Sequence, residues 1–584
     1  MDSTSLPAES LLTLDIGTSM TRATLFDIVE DQFRYLASGA APTTAFPPTG
    51  EIRRGIRWAL DELSTATGRQ FVDPGGRLLR PDGQSGSGAD HISATFSIAP
   101  PVKVLAVGLS PDFSLASLRR LARSIHYHQF ETLGLEDPRK PEEQVDAILK
   151  LRPDLILVAG GSDGGASRSL LALIDTVSLA CSIIPESSRP PVIFAGNQSI
   201  QSEVESRLGR LTRLVVAPNL RPQENIENLE PAMHQLTQLY KQLVKQRIPW
   251  LARLDNLAQD KMLHSGYALG RLMRFLSQVR PGRNGVLGID LGVSALTVAV
   301  AFSGGLSLQI FPEFGLGNQL TNYLDITSLS TIAGWLYTNI PPSFIKEYLL
   351  QKSLYPDMLS TTSDALMVEQ ALARYMLRSG IQQVVAGFSS KAVFNSPGQL
   401  PAMEPIFVSG AVLAKAPDLA SCLLMLLDGL QPTGITTFVL DHNLIAPSLG
   451  AAAALMPGQV VQLLNSDAFL HLATVISPTG TARPGTPVLR VKIYPENDQE
   501  TSLEVRQGEL RVYPVTEGHS ARLQLTPLQE FDIGMGNPGR GGSLRVTGSK
   551  FGLVFDARGR PLHPPGDLAR RSDQYSDWFS MLAT

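Results

Sequence analysis

Four residues near the start of the chain have the types and spacing to hold a phosphate. In LDIGTSMTRATLFD, residues 14–27, an apolar run leads into Asp15, Gly17, Thr18 and Thr21. Glycine lets a backbone approach a phosphate, hydroxyls add donors, and a carboxylate at a strand end can orient a metal-bound water, which makes Asp15 the candidate metal residue. The plain alternative is a β-turn that uses Asp and Gly for its own geometry. The same device recurs 275 positions on (290 − 15) in GIDLGVSALTVAVAF, residues 288–302, with Asp290, Gly292 and Ser294. A third turn, IFVSGAVLAKAP at residues 406–417, offers Ser409 and Gly410.

The elements around these turns explain why the repetition matters. LLTLDIG, TRATLFDIV and FRYLASGA read as a hairpin of strands followed by the helical pattern IRRGIRWALDELSTATG, and the order restarts at VLGIDLGVSALTVAVAF and GGLSLQIF. Between about residues 92 and 215 apolar runs alternate with helical segments, which predicts an inserted parallel α/β domain. From about residue 459 period-two alternation (VLRVKIYP, SLEVRQGELRVYPV, ARLQLTP) predicts a β-rich C-terminal domain, ending in a mobile tail with aromatics at Tyr575, Trp578 and Phe579. The expected organisation is a first lobe over 1–285 carrying the insertion, a second lobe over 286–458, and the β-rich domain over 459–584. Two Asp-x-Gly turns facing one another across a cleft form the phosphate clamp of the actin, Hsp70 and sugar-kinase ATPase fold, so the expected class is α/β with two actin-like lobes. The third turn falls where that fold places its adenosine contact.

Composition excludes several alternatives. Of 584 residues, 50 are Lys or Arg and 54 Asp or Glu, a net charge of −4 that leaves no electrostatic footprint for nucleic acid or an acidic membrane surface. Two cysteines, Cys181 and Cys422, lie far apart in apolar surroundings, which argues against a disulfide framework and for a reducing compartment. MDSTSLPAESLL has acids where a secretory signal carries basic residues, so the expected location is the cytoplasm.

From about residue 10 to about 456 the sequence resembles the glutamate mutase accessory protein L family (MutL or GlmL, distinct from the mismatch-repair protein of that name). The match runs through LDIGTSMTRATLFD, ATFSIAPPVKVLAVGLSPD, PDLILVAGGSDGG, PVIFAGN, LRPQENIENLEPA, GIDLGVSALTVAVAF, VSGAVLAKAP and VLDHNLIAPSLGAAAALMP. The resemblance implies an actin-like ATPase that binds ATP with magnesium and acts as a reactivating chaperone on an adenosylcobalamin-dependent mutase. It implies that Asp15 orients the metal-bound water, that Gly17, Thr18 and Thr21 hold phosphate, and that Asp290, Gly292 and Ser294 close the opposite side. Ser409 and Gly410 would meet the adenosine.

The chain departs from the family pattern mainly on one side. Arg22 stands for a common Lys in the first turn. In the second, Val293 replaces a Gly, Leu296 a Thr and Thr297 an Asp of Asp-Ile-Gly-Gly-Ala-Thr-Thr-Asp. Glu313, Phe314, Gly315, Leu316 and Gly317 lack the acid of Glu-Gly-Asp-Leu-Gly, and Val408 to Ala411 depart from Gly-Thr-Gly-Gly. A pseudo-ATPase scaffold or partner-binding protein, with little or no hydrolysis, is therefore the alternative to a weak ATPase, and the β-rich domain could serve as its recognition module. Three further motifs carry bland readings beside functional ones. AGGSDGG, starting at Ala159, is an anion nest or a tight turn with Asp163 capping a helix. His126 and His128 would share one strand face, and Asp532 to Gly534 reads as a turn.

Overall fold

The computed structural model describes residues 10–46, 49–81, 86–98, 102–258, 262–279, 284–387, 398–496 and 499–583. The chain divides into two compact units, one of residues 1–95, 268–306 and 313–584, the other of 96–267 and 307–312. The insertion is thus longer than the expected 92–215, because the helices Glu230–Arg247 and Pro249–Leu257 belong to it.

The first unit begins with β1 (Leu11–Ile16), β2 (Met20–Val29) and β3 (Gln32–Pro42), an antiparallel meander with β4 (His91–Phe96) on the far side of β1. Asp15 is the one residue of β1 that is not buried. The helix Ile52–Thr67 turns Ile52, Ile56, Ala59, Leu60 and Leu63 inward, an apolar stripe at helical spacing. It lies so close to β3 that a Cβ on Gly39 would sit 2.1 Å from the Ala59 carbonyl oxygen, which fixes glycine there.

The second unit holds β5 (Lys103–Val107), β6 (Gln129–Leu133), β7 (Leu155–Val158), β8 (Val192–Phe194), β9 (Leu214–Val216) and the short β10 (Leu263–His264). Five of these form a parallel sheet in the order β6-β5-β7-β8-β9. Its strands are near-continuous apolar runs such as LILV, as expected where helices cover both faces.

From residue 285 the chain continues with β11 (Gly285–Leu291), β12 (Leu296–Phe302), β13 (Gly305–Phe311), β14 (Met403–Ser409) and β15 (Gly434–Leu440). β11 and β12 are antiparallel, β14 runs parallel to β11 and β15 parallel to β14. The spatial order β13-β12-β11-β14-β15 repeats the β3-β2-β1-β4 order of the first half, so both halves have actin-like topology.

The C-terminal region is β-rich, as expected, but it does not stand apart. β16 (Leu470–Ser477) pairs with β15; then come β17 (Pro487–Pro495), β18 (Thr501–Arg506), β19 (Leu510–Tyr513), β20 (Ser520–Pro527), β21 (Gly542–Thr547) and β22 (Leu553–Asp556). β22 and β19 extend the second-half sheet beyond β16 to eight strands, while β18-β17-β20-β21 form a separate antiparallel sheet. Ile476, Leu553 and Phe555 of the long sheet share one core with Val491, Ile493, Leu523 and Leu525 of the short one. An ion network locks the region in place: Asp556 binds Arg558 (2.9 Å) and Arg560 (2.7 Å), and Asp428 binds Arg558 and Arg374 (both 2.8 Å). Burial pushes the Asp556 carboxyl up, but the two guanidiniums outweigh it and hold the group well below the usual range. The expected mobile tail is instead the helix Leu568–Ala583, whose Tyr575 stacks on Tyr337 with ring centroids 3.7 Å apart.

Candidate functional site

The two Asp-x-Gly turns are superimposable in connectivity. Gly17 N–H donates to the Met20 carbonyl at 2.9 Å, and Gly292 N–H donates to the Ala295 carbonyl at 3.0 Å, the same bond 275 residues apart. Across the strands Asp15 lies opposite Arg22, and Asp290 opposite Thr297. Neither Gly292 nor Val293 has a positive φ, so Val293 sits in its turn without backbone strain.

What supports each turn differs. Thr43 Oγ1 donates to the Gly17 carbonyl at 2.8 Å and lies 2.8 Å from Thr21 Oγ1; with the Thr43 proton committed, Thr21 must be the donor to Thr43. Thr21 is fully buried, so this predicted phosphate residue braces the turn from behind. The Gly292 carbonyl instead accepts the Leu316 N–H at 3.0 Å. Leu296, at the position equivalent to Thr21, is buried with its Cδ2 only 2.3 Å from where a Cβ on Gly380 would be. The glycines Gly315 and Gly317 let their segment run against Val293 and Ser294: a Cβ on Gly317 would meet Val293 Cγ1 at 2.8 Å.

The glycines of the site also separate. A Cβ at Gly17 would meet the Met20 oxygen at 2.4 Å, and one at Gly410, whose φ is +110°, would meet the Leu291 oxygen at 2.3 Å. Both are required by the protein's own packing. At Gly292 the nearest atom would be the Ala295 oxygen at 3.4 Å, an ordinary contact, so that position has space beside it.

Four charged groups converge here. Thr95, buried on β4, donates its hydroxyl to Asp15 Oδ1 at 2.5 Å. Asp290 is pushed up to about 7, first by desolvation and then by the charges of Asp15 and Asp441, while Arg22 pulls it back. Asp441, fully buried after β15, is raised by burial; the N–H groups of Ile445 (2.9 Å) and Ala446 (2.8 Å), the Ser409 hydroxyl (2.9 Å) and Arg22 counter this. Ser409, predicted at the adenosine, thus spends its hydroxyl inward on Asp441 and is itself buried. Thr18 and Ser294 are half-buried within their turns.

Sequence reasoning missed Asp441, Thr43 and Thr95, and it noticed Arg22 only as a substitution. For Asp441 a signal existed: an acid directly after the apolar run TTFVL and a few residues before the helix Ala446–Ala452 has the pattern of a helix-start residue.

The family model described as MutL protein matches residues 11–468. The chain belongs to the MutL protein family. Protein MutL of Clostridium tetanomorphum is 23% identical to this MutL-family chain over 291 residues, which are 49% of this chain and 56% of that one, little more than half of its length. Among solved structures, the ethanolamine utilization protein EutJ of Carboxydothermus hydrogenoformans covers 77% of this chain and 91% of its own at 11% identity and a TM-score of 0.27. The activator of 2-hydroxyisocaproyl-CoA dehydratase from Clostridium difficile, with bound ADPNP, covers 78% and 98% at 9% identity and a TM-score of 0.27.

The remaining motifs resolve into structure. In the second unit Asp163 does not cap the helix Arg168–Ile183; its Oδ1 accepts from Gln198 N–H (3.0 Å) and Asn219 Nδ2 (2.9 Å), tying three loops together. His126 and His128 precede β6 and share no strand face, and among the described residues no group of three His, Cys, Asp or Glu is arranged for a metal. Asp532 Oδ1 accepts from Gly534 N–H at 2.8 Å, an ordinary turn. Among the described residues no helix is long and apolar enough to cross a membrane.

Proposed function

We propose that this chain binds a nucleotide phosphate between the two actin-like halves of its first unit and uses that binding in service of a cobalamin-dependent mutase. One observation carries the nucleotide reading: Asp15 and Asp290 lead into equivalent Gly-centred turns of the two halves, and the charge of Asp15 is among the causes that raise the Asp290 carboxyl. Family membership supports the mutase as client. ATP and magnesium fit the donor set. Magnesium commonly takes one or two carboxylates and completes its shell with phosphate oxygens and water, so a cluster of three protein acids is not required. Asp15, held by Thr95, would orient the metal; Gly17, Thr18, Gly292 and Ser294 would line the phosphates, with Gly410 toward the nucleoside. When bound, the metal neutralises phosphate charge. The residues' own part is to keep the turns in register and the acids apart.

The alternative is a pseudo-ATPase that binds without turnover. It is favoured by the second turn, where Leu296 is buried and Thr297 supplies no carboxylate. Hydrolysis needs both the attacking water and the phosphate charge held in place. Nucleotide binding and phosphate release, measured on one preparation beside Asp15→Ala, separate the two. Tight binding with release abolished in the variant supports an ATPase, and binding without release supports the scaffold. A wild-type chain that binds no nucleotide refutes both.

A further inference from the structure

The helix Pro141–Leu151 leaves a gap over the sheet of the second unit that it covers. Where a helix packs on a parallel sheet, both surfaces are normally apolar and fill the space between them. Here the helix turns Gln144, Ala147, Ile148 and Leu151 toward the gap, a polar residue and a small one before two of ordinary bulk. Opposite them β6 reads QFETL, where β5 and β7 read KVLAV and LILV. Lys103 pairs with Gln129 and Leu105 with Glu131, so residues two apart on each strand line one face. The result is a cavity of about 390 Å³ that opens to solvent. Ligand pockets commonly hold roughly 300–1,000 Å³. Polar residues suit an edge strand, but the edge does not explain Gln144, which is 8% exposed on the inner face of its helix. Its Nε2 donates to the Arg139 carbonyl at 3.1 Å, which fixes the amide in the cavity wall.

The lining is graded from apolar to basic. Leu105, Leu133 and Ile148, all buried, form a floor. Lys103 heads β5, and Lys150 stands in the last turn of the helix. Lys103 Nζ gives one of its three donors to the Leu151 carbonyl at 3.1 Å, which caps the helix and holds the ammonium at the cavity. Of the two other charged residues in the lining, Arg139 is gripped by both carboxylate oxygens of Asp137, and Glu131 adds its charge to the same guanidinium. The two lysines therefore set the sign of the open end.

We infer that this cavity binds a small amphipathic anion, an apolar chain of a few carbons ending in a carboxylate, with the chain on the leucine floor and the carboxylate toward Lys103 and Lys150. The site lies wholly within the second unit and stands independently of the nucleotide reading.

The test is saturation-transfer NMR of the full chain with hexanoate, hexylammonium and hexanol at millimolar concentrations, comparing wild type, Ala147→Leu and Lys150→Glu. Wild type is expected to show saturable transfer along the hexanoate chain and none to hexylammonium. Ala147→Leu fills the cavity with a good helix former and should abolish the transfer. Lys150→Glu, at an exposed position, should weaken hexanoate about tenfold, and it decides the matter if Ala147→Leu fails to fold. MgATP, titrated on the same preparations, should bind both variants as it binds wild type. Equal binding of all three probes, or hexanoate binding to Lys150→Glu within twofold of wild type, overturns the anion. Hexanoate binding untouched by Ala147→Leu places the ligand elsewhere, and no transfer from wild type makes the cavity a packing gap; either result overturns the site.

Discussion

The turns at Gly17 and Gly292 share one hydrogen bond and one offset, yet they are built from opposite materials. The first is braced by a hydroxyl chain, Thr21 to Thr43 to the Gly17 carbonyl, and carries Arg22 across from its acid. The second is braced by a backbone amide from Leu316 and by Leu296 packed against the helix Ser363–Ala386, with buried Thr297 across from its acid. Replacing hydroxyls by aliphatic packing keeps a turn's shape while removing its capacity to donate. Substitutions that look like decay at the second turn are therefore compatible with a rigid turn, and what has been lost there is polarity.

That contrast can be broken at its supports. The largest effect is expected at Leu296→Ala, which opens a cavity beneath the second turn and should lower stability by about 2–5 kcal/mol in denaturant unfolding. Thr21→Val at the equivalent place removes one hydrogen bond and should cost only about 0.5–1.5 kcal/mol. Equal losses would mean that the two braces are not different in kind. Next come the glycines. Gly17→Ala forces a Cβ against the Met20 oxygen and should cost about 1–3 kcal/mol, whereas Gly292→Ala should stay within about 0.5 kcal/mol. Gly292→Ala would then be the informative variant for ligand binding, since any loss of affinity would come without loss of fold.

A third prediction concerns protons. Because the Asp290 carboxyl is raised to about 7 in the folded chain, the native state binds more protons than the unfolded state between about pH 4 and pH 7. Its contribution to stability is thus greatest below that window and falls as pH rises through it. Asp290→Asn should flatten the decline in unfolding temperature across the window, and an unchanged slope would place the proton elsewhere. Thr43→Val should cost about 1 kcal/mol, well below Leu296→Ala, with a modest loss of nucleotide affinity because the Gly17 carbonyl loses its donor.

Much of this was legible in the sequence. The opening strands, the restart at Val286, the parallel insertion and the alternating C-terminal strands all follow from local periodicity and turn chemistry. The turn residues were legible as turn residues. Their orientation was not: Thr21 and Ser409 read as ligand-facing because hydroxyls near glycines suggest phosphate contacts, but each points to a partner that only the fold supplies. Thr43 lies 26 positions from the carbonyl it holds, and Thr95 lies 80 positions from Asp15. The extent of the insertion was missed because helices such as Glu230–Arg247 carry the same pattern whichever body they pack on. The tail read as mobile because Leu568–Ala583 is largely polar and exposed; its anchors are the stacked Tyr575 and the contact of Trp578 with Arg558 at 4.5 Å.

The long sheet has a consequence for how the protein is made. β15 gains its outer neighbour from residues 470–477, and β16 gains its own from residues 553–556, more than a hundred positions after β15 ends. During synthesis the second half therefore keeps an open, apolar strand edge until those late residues leave the ribosome, whereas the meander of β1, β2 and β3 pairs within its first 42 residues. The two sheets that share a topology are thus completed at different stages of synthesis, the first with β10 at residues 263–264 and the second with β22 at residues 553–556, and the interval between them is when the chain is most exposed to misassociation.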